Sequence, residues 1–246
     1  MPKVSAVIPI RYTDKYPRDM DRLDLCLKSL REQTVRSECM QIIVSDFGSE
    51  KKYVPALQEK CQKAKAKFVH IETQEVWSRA KALNIGIRAS DPDSDYIISS
   101  DVDIIFKDTA IEEAFKNMDE KTYIIFEVRK LPPMKLPIDL NFTRLEAISM
   151  PEPPSIGICC FPRKWIFDVR GYDEEFKVWG WEDNDLVKRA HLSGLQIIRL
   201  PDLTFHLWHK VFYKVDLNDP QQKLNCERAD SLNTIIRNTD KQWGEA

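Results

Sequence analysis

Two aspartates one residue apart, Asp101 and Asp103, stand between the apolar runs Tyr96-Ile97-Ile98 and Ile104-Ile105-Phe106. Read as strand, positions i and i+2 share a face, so both carboxylates point the same way. Like charges at close range raise each other's pKa unless a cation intervenes. Carboxylate oxygens suit Mg²⁺ or Mn²⁺. The competing reading is a solvated strand end with two turn-forming aspartates. The tripeptide alone favours that reading, because DxD is short and common.

A second constellation lies at residues 176–194, FKVWGWEDNDLVKRAHLSG. Acidic residues in the first turn of a helix are favoured by its macrodipole, and Asp185 and Arg189 stand at a pairing distance of i, i+4. The plain reading is an acidic N-terminal turn with two packing tryptophans. The functional one is a sugar platform, Trp179 and Trp181 against sugar CH faces with Glu182 and Asp183 accepting from hydroxyls. His206 and His209 are two of only four histidines and lie within one short stretch, FHLWHK. That leaves a structural and a metal role evenly matched. Arg11, after Pro9-Ile10, and Arg79 fall at strand and helix ends where a parallel sheet presents its ligand. Guanidinium groups there suit a diphosphate, or are ordinary surface arginines. No GxxxxGK[ST], GxSxG or HExxH pattern occurs.

These groups need a scaffold, and the first hundred residues supply one. Strand patterns at Val4–Ile10, Gln41–Val44, Phe68–Ile71 and Tyr96–Ser100 alternate with helix patterns at Asp21–Gln33, Tyr53–Ala66 and Ser78–Ala89. Asp21 reads as an N-cap. The order predicts an α/β protein with a mostly parallel sheet and its ligand at the carboxyl ends of the strands. The second half is less regular. Strands are expected at Tyr123–Val128, Ile156–Phe161 and Gln196–Leu200. Helices are expected at Glu182–Leu192, with Gly194 closing it, and at Gln221–Arg237. Residues 131–155 hold six prolines and read as an irregular lid or binding loop.

Composition sets the outer limits. The chain has 246 residues, 43% hydrophobic and 31% charged, with net charge −2 and a pI near 6.1. It reads as a single compact domain of two half-domains, 1–103 and 104–246. Nothing suggests a nucleic-acid partner. No apolar run approaches the ~18–20 residues of a membrane span, and the N-terminus lacks a signal-peptide pattern, so a cytoplasmic location is expected. The six cysteines show no metal spacing and read as reduced, mostly buried thiols.

Taken in order, IPIR, RAKALNIG, SDVD, GYDEEFKVWGWEDNDL and HLWH resemble the β-1,4-galactosyltransferase group of glycosyltransferases with the GT-A fold, and more widely the family 2 and chondroitin polymerase-like transferases. The resemblance spans about residues 4–210. It implies a Rossmann-like GT-A domain in which Pro9 and Arg11 cradle the nucleotide, with Trp77 and Arg79 near base and diphosphate. Asp101 would face ribose or sugar, with Val102 beside it on the donor side. Asp103 would bind Mn²⁺ (or Mg²⁺), the site being completed by His209 and His206. Trp179, Trp181, Glu182 and Gly157 would meet donor sugar and acceptor, and Asp183 would be the general base. Three stretches depart from the pattern, and at one of them, Pro154-Ser155-Ile156-Gly157, the aromatic that helps galactosyltransferases choose their donor is missing, so donor identity does not carry over. Asp46-Phe47-Gly48-Ser49 has lost one of two aspartates, and Asp46 would remain as a base or ribose contact. Trp181 stands where galactosyltransferases carry glycine, which narrows the acceptor pocket.

The expectation is a metal-dependent inverting glycosyltransferase of polysaccharide biosynthesis. Its partners would be a nucleotide-sugar donor, such as a UDP-Gal, UDP-GalNAc or UDP-Glc type, and a carbohydrate-type acceptor. Two readings compete: a sugar-1-phosphate nucleotidyltransferase and a non-catalytic nucleotide- or glycan-binding module. The first usually needs a glycine-rich loop, and residues 4–20 hold no glycine. The second should have lost a site residue, and Asp101, Asp103, Asp183, His206 and His209 all stand.

Overall fold

Val4–Ile10 forms strand β1, buried at every position. Its two sides enter different cores: Val4, Ala6, Ile8 and Ile10 one, Val7 the other. A strand covered on both faces reads as a continuous apolar run rather than an alternation. The structure, a computed structural model, describes residues 1–15, 20–151, 155–210, 215–231 and 233–245.

Strands β2 (Met40–Phe47), β3 (Lys67–Ile71) and β4 (Tyr96–Ser99) join β1 in a parallel block ordered β3-β2-β1-β4. Helices α1 (Met20–Arg31), α2 (Val54–Lys63) and α3 (Arg79–Arg88) make the crossovers. Gly86 explains how closely α3 lies on the sheet, since a Cβ there would come within 2.3 Å of Val7 Cγ1. Asp21 lies inside the first turn of α1 rather than at its cap.

The second half adds β5 (Ile104–Phe106), α4 (Ala110–Asn117), β6 (Thr122–Lys130), α5 (Phe142–Ile148), β7 (Met150–Pro151), β8 (Cys159–Pro162), α6 (Arg163–Asp168), α7 (Glu182–Leu192), β9 (Gln196–His206) and α8 (Pro220–Asp230). The sheet continues β4-β8-β6-β9-β5, with β7 on β6. Strands β8 and β5 run against their neighbours, while β6 and β9 follow the direction of the first block. The sheet is therefore mixed but mostly parallel, with helices on both faces.

Three departures from the sequence reading matter for function. The short strand β5, hidden in an apolar run beside two aspartates, forms the sheet edge beside β9. Strand β9 does not stop before Pro201 but continues through an irregular register to His206. Proline lacks a ladder donor, and the irregular register accommodates Pro201. Within 131–155, the described part is not irregular throughout: Asn141 caps α5 by accepting from the Arg144 N–H. Leu131, Leu145 and the half-buried Met134, Leu136, Ile138, Leu140 and Phe142 share a core with Leu25, Ile105, Phe205 and Leu207. Residues 152–154 lie outside the described residues. Helix α7 ends as expected, with Gly194 left-handed and the Leu195 N–H on the Ala190 carbonyl, whereas α8 stops at Asp230 instead of Arg237. Among the described residues no helix is long and apolar enough to cross a membrane.

Candidate active site

Asp101 and Asp103 do not share a strand face. Strand β4 ends at Ser99, and residues 101–104 make a turn closed by the Ile104 N–H on the Asp101 carbonyl at 3.3 Å. The chain must leave the sheet here, because β4 lies at its centre and β5 at its far edge. Val102 is the pivot, its side chain buried in the core. With Val102 pinned inward, the two carboxylates diverge, each into its own cluster.

Asp101 turns toward Arg79, the first residue of α3. Ser78 caps that helix by accepting from the Lys81 N–H, and its hydroxyl donates to the Phe176 carbonyl. The guanidinium is engaged on three sides. Nε donates to Asp101 Oδ1 at 2.7 Å, Nη1 to Asp183 Oδ1 at 2.9 Å and Nη2 to the Gly157 carbonyl at 3.1 Å. Glu182 Oε1 lies 3.6 Å from Nη1. Arg79 thus sits within a carboxylate cluster, where the sequence reading had aimed it at a diphosphate. The three carboxylates hold its guanidinium protonated despite its burial.

Glu182 and Asp183 open α7, where the free N–H groups and positive end of the helix favour negative charge. Burial still dominates. It pushes Glu182 up to about 7, helped by the Asp183 charge and opposed by Arg79. Burial also raises Asp183, with Arg79 opposing and Asp101 adding to the rise. A carboxylate whose pKa is raised by burial yet held by a cation is matched to proton abstraction. Gly157 is the floor of this cluster: a Cβ there would stand 2.7 Å from Asp183 Oδ2.

Asp103 turns the other way, toward His206 and His209. The pairing of β5 with β9 sets Ile104 opposite His206, and the Leu207 N–H donates to the Asp103 carbonyl at 2.9 Å. Asp103 Oδ2 lies 3.8 Å from His206 Nε2 and 3.3 Å from His209 Nε2. One ligand atom from each residue fits within 4.8 Å of the others. His209 Nδ1 is 2.9 Å from the Lys210 carbonyl. A carbonyl can only accept, so Nδ1 donates to it, which leaves Nε2 on the side of Asp103. One carboxylate and two imidazoles fit a divalent transition ion such as Mn²⁺.

The residues expected on the donor side lie at the carboxyl ends of β1 and β2 and in the segment between β3 and α3. Pro9 is buried in β1. Arg11 Nη1 donates to the Glu75 carbonyl at 2.7 Å, and the Trp77 ring lies 6.5 Å from Phe47. Asp46 turns inward: it is fully buried, with His70 Nδ1 at 2.7 Å and the Ser49 N–H at 3.1 Å. Phe47, in place of a second aspartate, is likewise buried.

The tryptophan loop has a backbone reason that the sequence reading missed. Val178, Gly180 and Trp181 have φ of 68°, 95° and 71°. Trp181 is the N-cap of α7 and makes no side-chain cap bond. A left-handed cap explains why glycine suits this position. Trp179 is exposed, and its ring stands 6.4 Å from Trp181 at 74°. Trp208, exposed between the two histidines, was also missed. Asn84, within the RAKALNIG stretch, is structural: its amide bonds Tyr172 and Glu174 in the buried loop before the tryptophans. A cavity of about 950 Å³ lies at the other end of the sheet, lined by Lys28, Arg31, Lys60 and Lys63. Those cations close the last turns of α1 and α2, where the helix dipole favours them without a ligand.

Comparison with known proteins fits this geometry. Glycosyl transferase family 2 matches over residues 15–157, and the N-terminal domain of galactosyltransferase over residues 151–210. The human chondroitin sulfate N-acetylgalactosaminyltransferase 2 is 25% identical over 180 residues, 68% of this chain and 32% of that protein. The human beta-1,4-galactosyltransferase 3 is 24% identical over 178 residues, 71% of this chain and 39% of that protein. The chain thus spans less than half the length of these curated relatives. The solved structure of GalNAc-T7 with UDP, GalNAc and Mn²⁺ superposes with a TM-score of 0.66 at 14% identity, over 93% of this chain and 47% of that one. The likeness establishes the GT-A fold.

Proposed function

This chain belongs to glycosyl transferase family 2, and from that premise we propose that it is a metal-dependent, inverting glycosyltransferase. It moves a sugar from a UDP-sugar of the GalNAc, Gal or Glc type to a hydroxyl of a glycan. The observation that carries the reading is the Asp101-Val102-Asp103 turn, which sends one carboxylate to the Arg79–Asp183 pair and the other to the two histidines. Base and cation site are thereby fixed to one short, core-anchored segment.

Asp183 accepts the proton of the acceptor hydroxyl as its oxygen attacks the anomeric carbon. The bond from that carbon to the diphosphate oxygen breaks, and the electron pair leaves with UDP. Attack opposite the leaving group inverts the anomeric centre. Arg79 keeps Asp183 ionised and oriented, and through Asp101 ties it to the donor side. Glu182, partly protonated near neutrality, can donate to a sugar hydroxyl while Asp183 accepts. Asp103, His206 and His209 would hold Mn²⁺, which when bound offsets charge on the leaving diphosphate. Trp179 and Trp181 supply apolar faces to the sugars. The relatives named for chondroitin sulfate and galactose transfer support an acceptor that is itself a carbohydrate.

The test is a screen of UDP-sugars for hydrolysis and transfer with Mn²⁺ and Mg²⁺, run beside Asp183→Asn. Wild type is expected to consume one UDP-sugar. Asp183→Asn is expected to bind UDP normally and lose about 10²–10⁴-fold in transfer. Wild-type turnover in that variant would remove the base assignment. No UDP binding by the wild type would remove the whole reading.

A further inference from the structure

We propose that Asn225, on α8, is a positioning residue for the acceptor side of the site. Its role is to hold loop 177–181 in the backbone shape that aims Trp179 and Trp181. Asn225 is buried, and its Nδ2 lies 3.0, 3.2 and 3.3 Å from the carbonyl oxygens of Lys177, Trp179 and Gly180. Its Oδ1 accepts from Gln221 Nε2 at 3.0 Å, and the carbonyls, which can only accept, turn the NH2 end toward the loop. Three carbonyls that converge on one point repel one another unless a donor stands between them. The amide is that donor.

The loop needs such a clamp. Val178 and Trp181 are side-chain-bearing residues in the left-handed region, and Val178 is β-branched as well. Conformations of this kind persist only where the surroundings over-determine them. One anchor comes from the α3 side, where the Val178 N–H donates to the Trp77 carbonyl at 2.8 Å. The other is Asn225. Helix α8 is itself fixed to the site helix, with Lys188 of α7 donating to the Ala229 carbonyl and Arg228 of α8 paired with Asp173. The donor-side groups are held differently, by strand ends and the 101–104 turn. Loss of the clamp therefore falls on the acceptor side. No signal near residue 225 discloses this, because the partners lie 45–48 positions earlier.

The inference rests on the transferase reading, and the experiment separates the two. Full-length wild type, Asn225→Ala and the double variant Asn225→Ala/Val178→Gly are compared in three measurements. These are UDP binding with Mn²⁺ by calorimetry, KM for p-nitrophenyl β-glycoside acceptors with UDP-GalNAc, and amide exchange at residues 178 and 179. Asn225→Ala is expected to leave UDP affinity within about twofold, raise acceptor KM about tenfold or more, and speed exchange at Val178 and Trp179 by a similar factor. Val178→Gly, which removes the need for a left-handed β-branched residue, is expected to recover part of the loss. Unchanged exchange at both amides overturns the clamp, whatever the activity. So does an equal loss of donor and acceptor affinity. If wild type fails to bind UDP, the transferase reading falls, while the exchange measurement still decides whether Asn225 holds the loop.

Discussion

Arg79 and Asp183, 104 positions apart in the chain, meet at 2.9 Å. The same guanidinium binds Asp101 and the Gly157 carbonyl, so a single side chain joins α3, the DxD turn and α7. Arg79 opposes the rise in the Asp183 pKa. Its removal therefore lifts that pKa further, and a base that must be ionised then works only at higher pH. In Arg79→Ala the acid limb of kcat/KM is expected to move upward, with turnover down about 10²-fold or more. Arg79→Lys keeps the charge but not the fork, and recovers only part. A pH–rate profile of the three proteins checks this; an unmoved acid limb refutes the tuning role.

Glu182 gives a stability prediction with a definite sign. Its carboxyl is raised from 4.5 to about 7 by burial, then by the Asp183 charge. The protonated form is the one the fold prefers, so its contribution is present below about 4.5 and lost as pH rises through about 7. Glu182→Gln mimics the protonated group. Melting curves should place the variant above wild type at pH 8 and close to it at pH 4. Equal shifts at both pH values would contradict a raised carboxyl.

Gly157→Ala tests the floor beneath the base. The added methyl would press on Asp183, 2.7 Å from Oδ2 and 3.4 Å from Cγ, and would stand 3.5 Å from Arg79 Nη2. The side chains must yield, and a displaced base loses its aim. Transfer should fall about 10²-fold while the circular dichroism spectrum and UDP affinity stay near wild type. Full activity in Gly157→Ala would mean that the close approach is irrelevant to catalysis.

The cation site is open to direct titration. Asp103→Asn is expected to weaken Mn²⁺ binding about tenfold or more. His209→Ala should do more harm than His206→Ala, because its Nε2 lies nearer Asp103, at 3.3 against 3.8 Å. Calorimetry measures both effects, and unaltered Mn²⁺ affinity in Asp103→Asn would exclude this site.

By itself the sequence determined the parallel block, the helix α7 and the identity of most residues that meet in the site. Those features rest on local rules: apolar runs for covered strands, i, i+4 faces for helices, and an acidic first turn closed by a glycine. It also found that Asp101-Val102-Asp103 mattered, though as a strand end with both carboxylates on one face. Only the tertiary structure decided where those carboxylates go. A buried Val102 and the jump from the central β4 to the edge strand β5 turn the segment and divide its charges between two clusters. Likewise Arg79 had a type that suits diphosphate, but its partners are set by packing with α7, far along the chain. The left-handed backbone at Trp181 and the clamp by Asn225 were illegible for a related reason. A left-handed backbone and a clamp from a later helix leave no periodic trace, because pairing between distant positions depends on how the elements fold together.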